Sequence, residues 1–353
     1  MMTYNPQLTV HSSALVAMSG GVDSAAAALL TKREGLECAG ATIRLHANAV
    51  SGEADARAAA ASIGIPFFVF DFSASFAEGV IERFVSAYRE GRTPNPCVDC
   101  NKRIKFGRFM EKAREMGKDC IVTGHYAKVE RDSSGRHLLK KGADRSKDQS
   151  YVLYTLSQDQ LAYARFPLGG LSKADARELA TGAGLGVSGK RESQDICFVP
   201  DGDYAKFIES HTGERARKGR FVDADGNDLG ENDGVVRYTL GQRRGLGLAM
   251  PYPPYVIELR PEDGTVVVGR DGQLFSKALR VRGINLIAAD RLDVPLRARV
   301  KIRYRHAEQP ATVRQVGEDE LSIEFDEPQR AITKGQAAVI YDGDVVVGGG
   351  TIA

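Results

Sequence analysis

The sequence predicts an α/β domain with a parallel sheet, followed by a small β-rich domain and a C-terminal β-barrel-like domain. The first half alternates short apolar runs with amphipathic stretches, which is typical of a parallel sheet covered by helices. Beyond residue 200, strand patterns punctuated by glycine replace that alternation. We therefore expect three domains, at residues 1–200, 201–276 and 277–353.

The individual elements follow from the spacing of apolar residues and from capping residues. In chain order we expect a strand at Ala14–Met18, a helix at Asp23–Glu34, a strand at Leu36–Leu45, a helix at Glu53–Ile63, a strand at Pro66–Phe72, a helix at Ser75–Arg89, a helix at Lys102–Met116 and a strand at Cys120–Thr123. Ser157 and Ser172 are predicted N-caps of two further helices, because a serine hydroxyl accepts from free N–H groups there. Later, Tyr255–Arg260 and Thr265–Gly269 are predicted strands joined by a tight turn.

The bulk composition is that of an ordinary globular protein. Hydrophobic residues make up 42% of the 353 residues and charged residues 27%, which disfavours a disordered or fibrous chain. The sequence has neither the pattern of a secretion signal nor an apolar run long enough for a membrane span. We therefore predict a cytoplasmic protein with no membrane partner. The net charge is only +2, so any nucleic-acid surface must be local.

A candidate phosphate-binding loop, Ser19-Gly20-Gly21-Val22-Asp23-Ser24, follows the first predicted strand and opens into a helix. Its glycines allow close approach of the backbone to an anion, and the helix N-terminus favours phosphate. The lysine of a Walker A loop is missing. The segment resembles the PP-loop, SGGxDS, of ATP pyrophosphatases, whose fold is Rossmann-like (adenine nucleotide α-hydrolase-like). That resemblance implies ATP, release of pyrophosphate, and Mg²⁺ held in part by Asp23.

Five cysteines in a chain of this length do not form a disulfide framework, and the odd count points to free, metal-binding or catalytic thiols. Cys97 and Cys100 form a C-x-x-C pair in a proline-rich loop before a predicted helix. Because Lys102, Arg103 and Lys105 follow closely, we expect a stabilised, reactive thiolate. A structural zinc half-site is the alternative, although the sequence offers no second Cys/His pair with suitable spacing.

Cys197 is the third candidate for a reactive thiol. It lies where the predicted nucleotide domain meets the β-rich domains. Cys38 and Cys120 lie within or beside apolar strand segments, where a buried core role is favoured. We therefore expect chemistry at Cys197 and at the C-x-x-C pair.

A series of short motifs resembles the bacterial tRNA-specific 2-thiouridylase family. In chain order these are Ser19–Ser24, Thr93–Pro96, Cys100–Lys102, Ile104–Phe106, Thr123–Tyr126, Lys147–Tyr151, Leu153–Leu156, Ile196–Phe198, Tyr238–Arg243, Gly245–Gly247, Arg303–Arg305, Phe325–Pro328 and Gly348–Gly350. Any one of them could arise by chance. Their order and spacing make the resemblance specific, and it extends over nearly the whole chain.

The resemblance implies roles for individual residues. Cys100 would be the nucleophile, and Cys197 would carry a persulfide sulfur. ATP would contact Ala17, Met18, Ser19, Gly20, Gly21, Val22, Asp23, Ser24, Ile43 and Gly124, with Leu45 as the rival to Ile43. Asn95, Pro96 and Cys97 would face the target base, while His125, Asp148, Gln149, Ser150, Tyr304, Arg305 and Gln336 would lie near the tRNA. Many family members carry Asp where this chain has Cys97, so no acid–base or orienting role is transferred to Cys97.

The resemblance also implies the reaction, a sulfur transfer to tRNA. The enzyme would adenylate O2 of the wobble uridine in the tRNAs for Lys, Glu and Gln, and then replace that oxygen with persulfide sulfur, forming AMP and pyrophosphate. The persulfide would attack C2 directly or release hydrosulfide. A cysteine desulfurase or a sulfur-relay protein would charge Cys197. Cys100 would then resolve the persulfide, leaving a Cys100–Cys197 disulfide that a reductant reopens. The base must leave the anticodon stack to reach the loop.

Other chemistries and other classes of protein stay open. Cys97, Cys100 and Cys197 could ligate three irons of a [4Fe–4S] cluster whose fourth iron binds hydrosulfide. Another PP-loop enzyme, such as an amidating synthetase or a lysidine-forming tRNA ligase, predicts no dependence on Cys100 or Cys197. A non-catalytic RNA-binding protein with a vestigial nucleotide fold predicts no pyrophosphate release, and the intact loop disfavours it.

The segment Leu296–Arg305 alternates strictly, with a basic residue at every odd position. As one strand it would bury its apolar residues and Tyr304 on one face and display five positive charges on the other. An ordinary solvated strand face is the alternative, but like charges without an interleaved acid favour a polyanionic partner. We therefore expect Arg299, Arg303 and Arg305 to contact the anticodon arm of the tRNA. The basic residues Arg215, Arg217, Lys218 and Arg220 would add to that surface.

Overall fold

The computed structural model describes residues 12–46, 52–186 and 196–353. Its N-terminal part contains β1 (Ser13–Ala17), α1 (Val22–Arg33), β2 (Glu37–Arg44), α2 (Glu53–Ile63), β3 (Phe67–Asp71), α3 (Ser73–Phe76), α4 (Glu82–Arg89), α5 (Pro96–Asp99), α6 (Phe109–Glu115), β4 (Cys120–Val122), β5 (Ala127–Arg131), β6 (His137–Lys141), α7 (Gln158–Tyr163), β7 (Ala164–Arg165) and α8 (Lys173–Gly182). A five-stranded parallel sheet runs in the order β3-β2-β1-β4-β7. The predicted α/β class is confirmed for this part of the chain.

The centre of this sheet is apolar because helices cover both of its faces. Ala14, Leu15 and Val16 of β1 are fully buried. One face packs on α1, whose run Ala25–Ala28 is buried and brings the helix backbone close to the sheet. Continuous burial of a short β-strand is what a parallel sheet between helix layers requires.

The C-x-x-C pair lies inside a helix, which corrects the sequence prediction that placed it in a loop before a helix at Lys102. Helix α5 continues through a π-helical segment, Cys100–Arg108, into α6. Asn95 caps the start, since its side chain accepts from the Cys97 N–H at 3.1 Å, and Pro96 fits the first helical position. A second π-helical segment, Ala77–Ile81, joins α3 to α4. Such segments are frequent at functional sites.

The middle part is a small β-rich unit. It comprises α9 (Tyr204–Thr212), β8 (Gly219–Val222), β9 (Asp228–Asn232), β10 (Tyr255–Arg260) and β11 (Thr265–Gly269). Its four strands form one sheet in the order β10-β11-β8-β9 around a core that includes Phe221 and Val256. The two strands predicted around the tight turn are confirmed at the predicted residues.

The C-terminal part is a closed antiparallel barrel. Its strands are β12 (Phe275–Leu286), β13 (Leu296–Lys301), β14 (Gln309–Gly317), β15 (Glu320–Arg330), β16 (Ala337–Asp342) and β17 (Val345–Ile352). They pair in the order β12-β15-β14-β13-β16-β17, and β17 pairs again with β12. Closure leaves no free strand edge within the ring.

The hairpin β5–β6 joins the N-terminal part of the chain to this barrel. It was not predicted from the sequence. Lys140 of β6 pairs with Val345 of β17, so the barrel sheet is extended by two strands from the N-terminal part. No helix in the described residues is long and apolar enough to cross a membrane.

Candidate active site

The phosphate loop and Gly124 meet at one crevice of the first sheet. Strands β2 and β3 lie on one side of β1, whereas β4 and β7 lie on the other. In open α/β sheets, ligands bind outside the carboxyl ends of the strands where the strand order reverses in this way. The loop Ser19–Ser24 follows β1, and Thr123–His125 follows β4. The structure therefore brings two separate sequence motifs to the expected ligand position.

The phosphate loop is held by its own side chains. Ser24 Oγ accepts from the Ser19 N–H at 3.1 Å and donates to the Gly21 carbonyl at 3.0 Å. Gly20 has a φ of +74°, and a Cβ there would lie 2.2 Å from the Gly52 carbonyl oxygen. Gly21 is the N-cap of α1 and provides no side-chain cap, so the N–H groups that begin α1 are left to the backbone and to a ligand.

Gly124 packs directly against the loop. A Cβ at Gly124 would lie 2.8 Å from the Asp23 carbonyl carbon and 2.9 Å from the Ser24 nitrogen. Real Cβ atoms do not approach backbone atoms this closely, so the loop after β4 can reach α1 only with glycine at this position. Gly124, for which an ATP contact was predicted, is therefore in direct contact with the loop Ser19–Ser24.

The remaining predicted ATP contacts line the same strand ends. Met18 is buried, and its N–H donates to the Ala41 carbonyl at 2.8 Å. Ala17 ends β1, and Ile43 lies near the end of β2. Ile43 and Leu45 both pack, partly buried, against the apolar cluster that contains Cys100. Packing against this cluster is therefore common to both candidates for the ATP contact.

Asp23 has two partners that the sequence did not predict. Lys173 Nζ lies 2.7 Å from both carboxylate oxygens of Asp23, and the Tyr126 hydroxyl donates to Asp23 Oδ1 at 2.7 Å. Tyr126 belongs to the Thr123–Tyr126 motif, which could have drawn attention to it. Lys173 carries no comparable signal, because it is a single lysine after an ordinary Ser N-cap.

The three candidate thiols converge although nearly a hundred residues separate Cys197 from the C-x-x-C pair. Cys100 is 9% exposed and lies in an apolar cluster against which Ile196 packs and to which Phe198 belongs. The Cys197 and Cys97 thiols are close enough to raise the pKa of Cys100. Cys97 and Cys197 are exposed, and all five cysteines are free thiols. The residues before Cys197, at positions 187–195, lie outside the described residues.

The prediction of a stabilised thiolate is wrong for Cys100 in this conformation. Burial raises the pKa of Cys100 to about 12, although Lys105 acts to lower it. Arg103 is engaged with Asp99 at 3.6 Å. Desolvation also raises the pKa of Cys197, with the neighbouring Cys97 as a second cause. The structure therefore presents Cys100 as a neutral thiol at neutral pH, because loss of hydration outweighs the nearby positive charge.

We expect alkylation with iodoacetamide at pH 7.5 to modify the exposed Cys97 and Cys197 well before Cys100. A folded pKa raised to about 12 means that the Cys100 thiolate is scarce below that pH, so its alkylation rate should rise about tenfold per pH unit up to that range. Peptide mass spectrometry over time gives the three rates. In denaturant Cys100 should react like an ordinary thiol, whereas rapid modification of Cys100 in the folded protein at pH 7.5 would contradict the structure.

The three thiols are not arranged as ligands of one metal ion. Across residues 12–46, 52–186 and 196–353, no group of three or more His, Cys, Asp or Glu side chains is placed to hold a metal. Cys97, Cys100 and Cys197 all fall within those ranges. In a [4Fe–4S] cluster each cysteine binds a different iron, so the lack of a single-ion site does not test the cluster hypothesis, which stays a prediction from the sequence.

His125, which was predicted to lie near the tRNA, is buried, and that predicted position stays a prediction. It is 6% exposed, and its Nδ1 lies 2.7 Å from the Thr123 hydroxyl. Its ring packs between Phe106 and Phe166. Burial, together with the positive charge of Lys105, keeps the pKa of His125 well below its usual value. The neutral imidazole therefore packs in the interior and contributes to the structure of the loop that contains Gly124.

Gln336 and the target-base segment are linked, because the barrel holds the loop that leads to Cys97. Gln336 Nε2 donates to the Thr93 carbonyl at 2.8 Å, and the Thr93 N–H donates to the Lys334 carbonyl at 2.9 Å. Asn95, two residues on, caps the helix that carries Cys97. Gln336 therefore helps to position the segment Thr93–Cys97. Its contact with tRNA stays a prediction.

The segment Asp148–Ser150 connects the crevice to the barrel. Asp148 Oδ2 accepts from the Ser150 hydroxyl at 2.8 Å, and Gln149 Oε1 accepts from the Tyr126 N–H at 3.0 Å. Ser150 is fully buried and lies 3.2 Å from the Tyr341 hydroxyl of the barrel. In this conformation Ser150 is therefore shielded from RNA, whereas Asp148 and Gln149 are only partly buried.

The predicted stripe of five positive charges on one long strand is wrong. Strand β13 ends at Lys301, and acids from neighbouring segments neutralise its arginines. Arg297 donates to both carboxylate oxygens of Asp326, and Arg299 lies 3.8 Å from Glu308. Asp326 is 29 positions from Arg297, and Glu308 follows Arg299 by nine positions, beyond the end of the strand, so the strand's own residues could not reveal them. Arg299 nevertheless keeps an exposed side chain.

Residues 302–305, which follow β13, do not continue the strand. Arg303 is partly buried and donates to the Arg330 carbonyl at 3.4 Å. Tyr304, predicted to be buried, is 38% exposed, and its hydroxyl donates to the Asp148 carbonyl at 3.3 Å. Arg305 is exposed. Tyr304 and Arg305 therefore form an accessible surface beside Asp148.

The second basic cluster, at residues 215–220, is also partly neutralised. Arg220 donates to both oxygens of Asp228, and Lys218 lies 3.6 Å from Glu231. Arg215 and Arg217 are exposed. Exposed arginines that can pair with phosphates position a protein on RNA without reading its sequence.

Three protein-family models match consecutive parts of the chain. The tRNA methyl transferase HUP domain matches residues 12–201, the tRNA methyl transferase PRC-barrel domain matches residues 205–270, and the Aminomethyltransferase beta-barrel domain matches residues 276–352. A solved structure, the U34-tRNA thiolase NcsA from Methanococcus maripaludis with its [4Fe-4S] cluster, overlaps 58% of this chain and 68% of its own, with 15% identity and a TM-score of 0.36.

Two relatives match over nearly the full length. The tRNA-specific 2-thiouridylase MnmA of Clostridioides difficile (strain 630) is 47% identical over 355 residues, which covers 97% of this chain and 98% of that protein. The tRNA-specific 2-thiouridylase MnmA of Carboxydothermus hydrogenoformans is 45% identical over 352 residues, which covers 96% of each. All three parts of the chain share in these matches. The chain therefore belongs to the family of tRNA-specific 2-thiouridylases.

Proposed function

We propose that this chain adenylates O2 of the wobble uridine in the tRNAs for Lys, Glu and Gln, and then replaces that oxygen with sulfur carried by Cys197. The observation that carries the proposal is that Cys97, Cys100 and Cys197 lie near one another in a chain that also has the loop Ser19–Ser24. Lys105 lies near both the thiols and the loop, because its positive charge lowers the pKa of Cys100, of Cys197 and of His125, which is next to Gly124. These reactions would take place in the cytoplasm, where the tRNA substrate is.

The phosphate loop supports the adenylation step. A uracil oxygen is a poor leaving group, and an AMP group on that oxygen makes its departure easy. Backbone N–H groups at the start of α1 face the position where pyrophosphate separates, so they stabilise the charge that develops there. The α-phosphorus forms a bond to O2 of uridine while its bond to the β-phosphate oxygen breaks.

Asp23 fits the chemistry of a Mg²⁺ ligand. A carboxylate beside bound phosphates supplies the oxygen donors that Mg²⁺ prefers, and the ion would neutralise phosphate charge when bound. The Asp23 side chain is 33% exposed at the start of α1, so it is open toward the crevice. Lys173 and Tyr126 contact the same carboxylate.

The thiols support the sulfur-transfer step. The terminal sulfur of a Cys197 persulfide forms a bond to C2 as the bond between C2 and the AMP-bearing oxygen breaks. The Cys100 sulfur then attacks Cys197 Sγ, so the persulfide S–S bond breaks and the sulfur stays on the base. The product disulfide, Cys100–Cys197, needs a reductant, and a cysteine desulfurase or relay protein must recharge Cys197.

Burial of Cys100 suits its late role in this sequence. A thiol with a pKa of about 12 does not compete with the exposed Cys197 for an incoming sulfur donor. Cys100 must lose its proton to attack, and Lys105 is the positive charge that favours the thiolate. The [4Fe–4S] alternative for the same thiols makes a separate prediction, namely iron and broad visible absorption after anaerobic purification.

The tRNA would be held by the exposed side chains of the barrel and the middle unit. Tyr304 and Arg305 lie beside Asp148, and Arg299, Arg215 and Arg217 are exposed positive charges. Phosphate contacts of this kind fix the position of an RNA, while an extruded base enters the site. The anticodon arm is the part of the tRNA that carries the wobble base.

The proposal predicts that tRNA from a strain lacking this gene contains no 2-thiouridine at the wobble position. Nucleoside mass spectrometry of total tRNA measures this directly, and the intact gene should restore the modification. The purified protein should also release pyrophosphate only when both ATP and substrate tRNA are present. Normal thiolation in the deletion strain would overturn the proposal.

A further inference from the structure

We infer that Lys173 binds the β- and γ-phosphates of ATP and supplies the positive charge that the loop Ser19–Ser24 lacks in its own sequence. The inference rests on the proposed function, because it assumes that this loop holds ATP. It adds a phosphate-binding residue that neither the loop motif nor the resemblance to the family indicates. The residue comes from α8, about 150 positions after Asp23.

The geometry places the ammonium group at the loop. Lys173 Nζ lies 2.7 Å from each carboxylate oxygen of Asp23, the second residue of α1. The Tyr126 hydroxyl donates to the same carboxylate, and Lys173 Nζ lies 5.9 Å from the centre of the Tyr126 ring. The Lys173 side chain is 14% exposed, so its charge is directed into the structure at the crevice.

The start of α8 fixes this lysine with respect to the loop. Ser172 and Asp175 form a capping box, with the Ser172 Oγ accepting from the Asp175 N–H and the Asp175 carboxylate accepting from the Ser172 N–H. The Lys173 N–H donates to Asp144 Oδ2 at 3.1 Å. Ala176 and Ala180 are fully buried in the core cluster that includes α1, so the two helices are packed together.

The chemistry needs a cation at this place. When the bond between the α- and β-phosphates breaks, the pyrophosphate takes the bonding electron pair, and positive groups fixed nearby lower the barrier. Walker A loops use their own lysine for this purpose, whereas Ser19–Ser24 contains none. Asp23 would hold the metal ion that accompanies the triphosphate, and the Lys173 ammonium would then contact the adjacent phosphate oxygens. Lys173 acts as a charge, so no proton is transferred.

The test compares ATP with AMP as ligands of the full-length protein. Isothermal titration in the presence of Mg²⁺ should show that Lys173→Met weakens ATP binding about 10- to 100-fold, while AMP binding stays within about twofold of wild type. Lys173→Arg should recover part of the ATP affinity. Arg177→Met, on the next turn of the same helix and exposed, is the matched control and should behave as wild type.

A double-mutant cycle separates a direct phosphate contact from simple pairing with Asp23. Asp23→Asn removes the carboxylate, and in that background Lys173→Met should still weaken ATP binding. If the second change has no further effect, Lys173 acts only through Asp23 and the inference fails. It fails also if Lys173→Met lowers ATP and AMP affinity equally, or changes neither. If the wild-type protein itself did not bind ATP, the proposed function would be overturned instead.

Discussion

Replacement of Cys197 by serine is expected to abolish 2-thiouridine formation while ATP-dependent pyrophosphate release continues. Serine has nearly the shape of cysteine, but its oxygen cannot carry a persulfide. Cys197 is exposed, so the substitution should not disturb the core. Cys197→Ser leaves unchanged the loop Ser19–Ser24 and Gly124, to which we assign the adenylation step. Nucleoside mass spectrometry of the treated tRNA and a pyrophosphate assay measure the two steps separately.

Cys38→Ala is the matched control for this substitution. Cys38 is 4% exposed on β2 and belongs to the core, so removing its sulfur should leave thiolation in place with a modest loss of stability. Cys100→Ser should also stop turnover, but at a later step, with the transferred sulfur bonded both to C2 of the base and to Cys197 Sγ. If Cys197→Ser still produced 2-thiouridine, the persulfide route would be refuted, whereas loss of pyrophosphate release would show that the two steps are not separate.

Local sequence signals predicted the nucleotide-binding part of the fold well, because the controlling interactions lie within a few residues. The helix Glu53–Ile63 has the predicted bounds, and Ser157 and Ser172 are capping-box N-caps as expected. The loop Ser19–Ser24 follows a strand and runs into a helix, as its pattern predicted. In each case the chain's own periodicity or a capping side chain determines the element.

The predictions that failed depend on contacts with residues outside the segment from which each prediction was made. The stripe at Leu296–Arg305 was wrong because Asp326 and Glu308 come to its arginines from other segments. The thiolate prediction at Cys100 considered neighbouring lysines but not burial by Phe198 and its cluster. In the hairpin β5–β6 apolar and polar residues alternate only weakly, and its position is determined by the pairing of β6 with β17. Such long-range contacts override local pattern.

Substitution of Gly124 by alanine is expected to impair ATP use severely. The added Cβ would lie within 3.0 Å of three backbone atoms of Asp23 and Ser24, and these atoms cannot rotate away as a side chain could. The loop after β4 and the start of α1 must therefore separate, which displaces the N–H groups that face the phosphates. A displacement of about 1 Å in such a site costs about 100-fold in rate, and overpacking costs about 1–3 kcal/mol of stability.

The measurements for Gly124→Ala are ATP affinity, pyrophosphate release and thermal unfolding. Gly182→Ala is the control, because a Cβ there meets no atom within 4 Å and Gly182 lies in α8. That control should leave ATP use intact and unfold no earlier than wild type, since alanine restricts the unfolded chain more than glycine does. Wild-type ATP affinity in Gly124→Ala would mean that the loop tolerates separation from β4. The crevice between β1 and β4 would then not be where the triphosphate is held, and the nucleotide would have to bind elsewhere on the sheet.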